Sequence, residues 1–202
     1  MNTKLWYCVF IVNLFSFSSF GQDISLYQQY NGRYDFTFIG NTLNPNENSF
    51  MQVAQINTSS SAVLSLNPND VIENAYLYWA GCGPGDFEVK LNGQTIIPDR
   101  TFSHQRTSNG MALEYFSTFT DITNQVQTTG NGTYTLSDLD LTPWVPYYFQ
   151  NRTNFGGWAI IVIYKNNALP LNQLNVYDGF QVIPNQILIT LNSLNVIDNQ
   201  NS

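Results

Sequence analysis

Aromatic residues near position 145 are the strongest candidates for ligand binding in this sequence. Trp144, Tyr147 and Tyr148 lie in the segment WVPYYF, which follows a Thr-Pro pair and precedes the polar residues Asn151 and Arg152. Aromatic faces stack on sugar rings, while amide and guanidinium groups can hydrogen-bond sugar hydroxyls. The pattern therefore predicts a carbohydrate-binding surface. The alternative is that this loop folds over the domain and its rings close the core.

Two carboxylates, Asp138 and Asp140, are the candidate metal ligands. Alternate residues of an extended strand point to the same side, so this spacing offers two oxygens to one ion. Hard cations such as calcium prefer carboxylate and carbonyl oxygens. Calcium is thus the one cofactor that the sequence suggests. The alternative is a pair of solvated carboxylates at the end of a strand that follows the turn at residues 130–132.

Side chains suited to catalysis are scarce. The single histidine, His104, falls in a polar segment at residues 103–109 that is predicted to be a loop, with no nucleophile or metal partner at a recognised spacing. Cys8 lies in the apolar N-terminal run, so Cys82 alone remains once that run is removed, and no internal disulfide can form. The 14 acidic residues could supply the carboxylate pair of a glycoside hydrolase, but their spacing selects no pair. We therefore predict a protein that is not an enzyme, with a glycan-active hydrolase as the weakest alternative.

The elements that would position these residues are clearest at residues 74–97. The segment AYLYWA at residues 75–80 is apolar or aromatic at odd and even positions, which is typical of a strand covered on both faces. The dipeptide Asn92-Gly93 favours a type I′ turn, because both central residues of that turn need positive φ. It predicts a hairpin in which Val89 lies opposite Ile96.

Strand patterns recur along most of the chain, and turn clusters rich in Asn, Pro and Gly separate them. They cover residues 34–38, 61–66, 115–119, 133–139, 158–164, 174–177 and 186–191. The segment WAIIVIY at residues 158–164 is apolar on both faces and is predicted to be a central strand. A single short helix is expected, at residues 121–126. This pattern predicts an all-β protein with a jelly-roll-like antiparallel β-sandwich.

The N terminus has the features of a secretory signal. Lys4 precedes an apolar run at residues 5–15, and small residues end at Gly21. We therefore expect a signal peptide at residues 1–21, a mature β-sandwich module at residues 22–202, and a secreted or cell-surface protein without a transmembrane segment. The chain has 7 basic and 14 acidic residues, and this net charge of -7 argues against nucleic acid as a partner.

Several segments in order carry a resemblance to known families. The hairpin sequence FEVKLNG, followed by DIT and GNGTYTL, resembles the galactose-binding-domain-like jelly roll. The wider set, YNGRYDFTFIGNTL, AYLYWAG, RTF, GNGTYTLSDLDL, NFGGWAIIVIY and YDGFQ, resembles the N-terminal module of large gliding-motility-associated or adhesin-like surface proteins of Bacteroidetes. The resemblance covers nearly all of the expected mature chain.

This resemblance implies a non-enzymatic extracellular module with a structural or interaction role, whose partners are glycans or other surface proteins. A lectin-like carbohydrate-binding module is the alternative. In the family, further repeats and a C-terminal sorting domain follow the module. The sequence ends shortly after the apolar segment at residues 186–191. We therefore expect the chain to be the N-terminal part of a larger protein, truncated at its C terminus.

Overall fold

The computed structural model of the protein describes residues 24–47, 54–108 and 110–181. The expected signal peptide and the expected strand at residues 186–191 lie outside these residues. The described chain forms eleven strands and two short helices: β1 (Ser25–Gly32), β2 (Tyr34–Thr42), β3 (Ser60–Leu64), β4 (Val71–Cys82), β5 (Val89–Leu91), β6 (Gln94–Ile96), β7 (Arg100–Ser108), β8 (Met111–Asp121), α1 (Thr123–Thr129), β9 (Gly132–Ser137), α2 (Val145–Phe149), β10 (Gly156–Lys165) and β11 (Asn172–Asp178).

Two antiparallel sheets face each other as a sandwich. One has five strands in the order β2-β10-β4-β8-β7, and the other has four in the order β3-β9-β5-β6. The main core lies between them and is built from alternate residues, such as Leu77 and Trp79 on β4 and Tyr134 and Leu136 on β9. Fully burying one such side chain contributes about 1.5–3 kcal/mol. The expectation of an all-β antiparallel sandwich is confirmed.

A third layer covers the outer face of the five-stranded sheet. Strands β1 and β11 pair as a separate two-stranded sheet. They cover a second core that includes Tyr30, Tyr76, Phe119 and Val176. Strand β4 contributes buried residues to both cores, so both of its faces are covered, as the AYLYWA pattern predicts. Strand β10 is also internal, between β2 and β4, with buried residues on its core face and mostly half-buried residues on its outer face.

Hydrogen bonds and an ion pair link this outer layer to the five-stranded sheet. The Tyr30 hydroxyl donates to Asn74 Oδ1 at 2.8 Å and lies 2.6 Å from the Tyr76 hydroxyl. Since the proton of Tyr30 is used on Asn74, Tyr76 is the donor of the shorter bond. Arg100 pairs with the buried carboxylate of Asp178, and its guanidinium carbon lies 4.0 Å from the centre of the Phe119 ring. The buried carboxylate of Asp178 is thus balanced by the guanidinium of Arg100, which in turn lies against an aromatic face.

The hairpin predicted around Asn92-Gly93 is present in the structure. Val89 pairs with Ile96, and the turn residues Asn92 and Gly93 have φ values of 50° and 79°. The helix expected at residues 121–126 is present but begins two residues later, as α1, where the amide of Thr123 donates to Asp121 Oδ1 at 2.9 Å. The expectation of a single helix is wrong, because the aromatic segment forms α2. Among the described residues, no helix is long and apolar enough to cross a bilayer.

The polar segment that contains His104 is not a loop. It belongs to β7, an edge strand of the five-stranded sheet, in which His104 pairs with Tyr115 of β8. The prediction of a loop at residues 103–108 is therefore wrong. Its polar residues are compatible with a strand because an edge strand leaves one side of its backbone and much of its side-chain surface in water.

Candidate functional site

The predicted aromatic segment forms a tight turn followed by the one-turn helix α2. The amides of Trp144 and Val145 both donate to the carbonyl of Leu141, at 3.0 and 3.3 Å. Pro146 lies in the first turn of α2, where its missing amide costs no hydrogen bond. Successive residues of a helix point about 100° apart. Tyr147 and Tyr148 consequently diverge, and the two rings have different surroundings.

Tyr148 is a structural residue. Its ring is 4% exposed and packs at the edge of Tyr115 and against Cys82. Its hydroxyl accepts from the amide of Glu114 at 2.7 Å and donates to the carbonyl of Glu114 at 2.6 Å. Strand β4 ends at Cys82, which pairs with Tyr115, so the next backbone groups of β8 have no strand beside them on that side. The hydroxyl of Tyr148 takes the place of that missing strand partner.

Trp144 and Tyr147 are surface residues, with exposed fractions of 37% and 59%. The indole of Trp144 lies directly on the backbone of Gly83, where a Cβ would come within 2.8 Å of the ring. Gly83 has a φ of 104°, a conformation that residues with a side chain rarely adopt. One part of the indole is therefore fixed against the protein while another part is open to solvent.

These two rings line a surface groove of about 420 Å³. Its other described walls are Tyr148, Pro84 and the β8 residues from Met111 to Glu114. A second groove of about 490 Å³ adjoins the first and shares Pro84 and Glu114 with it. Its further lining is polar and comes from Ser103, His104 and Gln105 of β7. We call the first the aromatic groove and the second the polar groove.

The two predicted polar partners have another position. Asn151 and Arg152 follow α2 but are not among the described residues that line either groove. The Asn151 side chain ties the loop together, since its Oδ1 accepts from Ser108 Oγ at 3.2 Å and its amide donates to the Tyr147 carbonyl at 3.4 Å. Arg152 is exposed and has a φ of 55°. The polar side chain that lines the aromatic groove with the rings is instead that of Glu114, and Gln105 lines only the polar groove. The sequence did not indicate either residue, because they lie on other strands.

Asp138 and Asp140 lie in the segment after β9, not within the strand, and Asp138 has a φ of 65°. Asp138 forms an ion pair of 2.7 Å with Lys90, and Asp140 Oδ1 accepts from the amide and hydroxyl of Thr142 at 3.0 and 2.6 Å. Within the described parts of the chain, no group of three or more His, Cys, Asp or Glu side chains is placed to hold a metal ion. The calcium site stays a prediction, and this geometry adds no support to it.

The remaining candidate nucleophile is enclosed. Cys82 carries a free thiol and is fully buried beneath Leu113 and Tyr148. Burial raises the pKa of this thiol, because the thiolate would lose its hydration. A buried thiol with a raised pKa is a poor nucleophile, so Cys82 acts as a small core residue.

The grooves offer exposed aromatic rings that can stack on a ligand and polar side chains that can hydrogen-bond it. Glu114 is the only carboxylate among the described residues that line them, whereas glycoside hydrolysis uses a pair. No protein-family model, curated protein or solved structure matches this chain.

Proposed function

We propose that this protein is a non-enzymatic extracellular module that binds carbohydrate through the aromatic groove. The observation that carries the proposal is the fixed and partly exposed indole of Trp144, with the open ring of Tyr147 beside it. A ring that is already held in place loses little side-chain entropy when a ligand stacks on it, so more of the contact energy appears as affinity. The polar groups that orient a sugar would come from Glu114 and its neighbours.

The wider role that we propose is that of a secreted or cell-surface, adhesin-like protein. Support comes from the apolar N-terminal run, from the resemblance to surface modules of gliding bacteria, and from the acidic, weakly charged composition. The partners would be glycans or other surface proteins. A hydrolase is less well supported, since the groove offers one carboxylate at its rim.

The test is a glycan array probed with the wild-type protein and with Trp144→Ala and Tyr147→Ala. We expect each substitution to weaken binding at least tenfold, because an aromatic anchor at the centre of a site commonly contributes about 2 kcal/mol or more. Phe38→Ala is a matched control. Phe38 is 59% exposed, the same fraction as Tyr147, but it lies on β2 in a different groove.

The control distinguishes binding at a specific site from non-specific binding to exposed aromatic surface. Equal losses in Phe38→Ala and Tyr147→Ala would show that exposed aromatic surface alone governs binding. Full binding by Trp144→Ala, with a circular dichroism spectrum like that of the wild type, would exclude the aromatic groove as the site.

A further inference from the structure

We infer that the site binds a neutral oligosaccharide instead of a single sugar, with a second subsite formed by Gln105 and Glu114 in the polar groove. The inference rests on the proposed function, because it extends the same site. It adds a ligand length, a ligand charge and two residues that determine specificity.

Gln105 of β7 and Glu114 of β8 are directly opposite each other in the antiparallel ladder. Residues that are paired in this way have their side chains on the same face of the sheet. Phe116 marks this face as the one that packs into the main core further along β8. At Gln105 and Glu114 the face is exposed, so both side chains are available to a ligand.

The two grooves adjoin, because Pro84 and Glu114 line both of them, so a ligand long enough to extend past these two residues would contact both grooves. Along the β7–β8 ladder, Met111 and Ser103 are five pairs apart. At a rise of about 3.3 Å per residue this is roughly 16 Å, which is longer than one sugar ring. A single ring on Trp144 would leave the polar groove empty.

The described lining of the two grooves contains one carboxylate, that of Glu114, one imidazole, that of His104, and neither lysine nor arginine. The basic neighbours of Gln105 on β7, His104 and Arg106, pair with Tyr115 and Leu113, so alternation along the strand directs their side chains to the opposite face of the ladder from Glu114. A uronic acid would place its carboxylate near Glu114, and the described lining offers no lysine or arginine on that face to compensate it. The chain as a whole also has a net charge of -7. Neutral sugars are therefore favoured.

The side chain of Glu114 is not what holds the site together. Its amide and carbonyl bond the Tyr148 hydroxyl, and the carbonyl also accepts from Gly83 at 2.9 Å. These contacts persist when the side chain is changed. A carboxylate accepts hydrogen bonds from sugar hydroxyls, and the amide of Gln105 both donates and accepts. Both residues can therefore be substituted without removing what positions the aromatic groove.

The experiment compares affinities for neutral hexasaccharides of glucose, mannose, galactose, xylose and N-acetylglucosamine with those for the corresponding disaccharides, and with hexagalacturonate as the anionic probe. The proteins are the wild type, Gln105→Ala and Glu114→Gln. Glu88→Gln is the control, because Glu88 is equally an exposed glutamate but does not line either groove.

We expect the wild type to bind at least one neutral hexasaccharide about tenfold or more tightly than its disaccharide, and to bind hexagalacturonate at least tenfold more weakly. Gln105→Ala should reduce hexasaccharide affinity at least fivefold and leave disaccharide affinity unchanged. Glu114→Gln should strengthen hexagalacturonate binding at least threefold. Glu88→Gln should resemble the wild type throughout.

Each other outcome is decisive. Equal affinity for hexasaccharides and disaccharides would overturn the second subsite while leaving carbohydrate binding intact. Tightest binding to hexagalacturonate would overturn the assigned ligand charge. A chain that binds none of these probes would overturn the proposed function, and the inference with it.

Discussion

Removing a single oxygen from Tyr148 should destabilise the protein measurably. In Tyr148→Phe the ring and its packing against Tyr115 are kept, and only the hydroxyl is lost. That hydroxyl bonds the amide and the carbonyl of Glu114 at 2.7 and 2.6 Å in a largely buried position. The carbonyl retains its bond from Gly83, but no other bond to the amide is seen among the described residues on that side of β8.

The size of the effect follows from the cost of an unsatisfied amide. A buried donor without a partner costs about 1–3 kcal/mol, and the lost bond to the carbonyl adds a smaller amount. Because the groove brings water close to this position, we expect a total near the middle of that range, about 2 kcal/mol. With a urea dependence of about 2 kcal/mol per molar, the midpoint of unfolding should fall by about 1 M.

Urea unfolding followed by circular dichroism measures this change, and Tyr147→Phe is the matched control. Tyr147 is the next residue on the same helix, and its ring is 59% exposed. Loss of its hydroxyl should change the free energy of unfolding by less than about 0.5 kcal/mol. Hydrogen exchange should also show faster exchange of the Glu114 amide in Tyr148→Phe alone. If both variants unfold at the same urea concentration, the role assigned to the Tyr148 hydroxyl is wrong.

Three further predictions concern other parts of the molecule. Gly83→Ala should lower both stability and sugar affinity more than Gly93→Ala does, since both glycines have positive φ but only at Gly83 would a Cβ collide with Trp144; thermal unfolding and binding assays compare them. Cys82 should react with a thiol reagent only in denaturant, because it is fully buried and its pKa is raised; similar rates in native and unfolded protein would contradict this. Burial raises the pKa of Tyr76 above its ordinary value of about 10. The folded state thus holds this proton more tightly than the unfolded chain, so its contribution to stability is complete below pH 10 and is lost as the pH rises beyond it, which unfolding experiments at increasing alkaline pH would detect.

Much of the fold could be predicted from local patterns, because those patterns report how many faces of a strand are covered. The apolar residues on both faces of β4 and β10 correctly indicated internal strands. The strands that form the third layer could not be predicted, since β1 and β11 are far apart in the sequence and pair only in the folded protein. Strand β1, with the sequence SLYQQYNG, has no clear alternation and was missed.

Edge strands account for the other discrepancies. The polar sequence of β7 predicts a loop, because its residues do not alternate regularly between polar and apolar types. On β2 the alternation was real, yet Phe36 and Phe38 are 46% and 59% exposed. Both rings share a face with Ile161 and Ile163 of the neighbouring β10, next to the outer layer. Alternation thus predicts the strand, but the position of the strand in its sheet decides whether the apolar face is covered.

In the candidate site, too, the sequence pattern does not predict which of several neighbouring side chains is buried. The sequence indicated Trp144, Tyr147 and Tyr148 as a cluster of rings that would contact either a ligand or the core. The structure divides this cluster, because Tyr148 is buried at the end of β8 and Tyr147 remains exposed at the surface. What separates two adjacent tyrosines is the 100° step of a one-turn helix placed where β4 ends. The end of β4 is set by pairing along the whole sheet, so the division between supporting ring and open ring follows from the tertiary fold and not from the residue type.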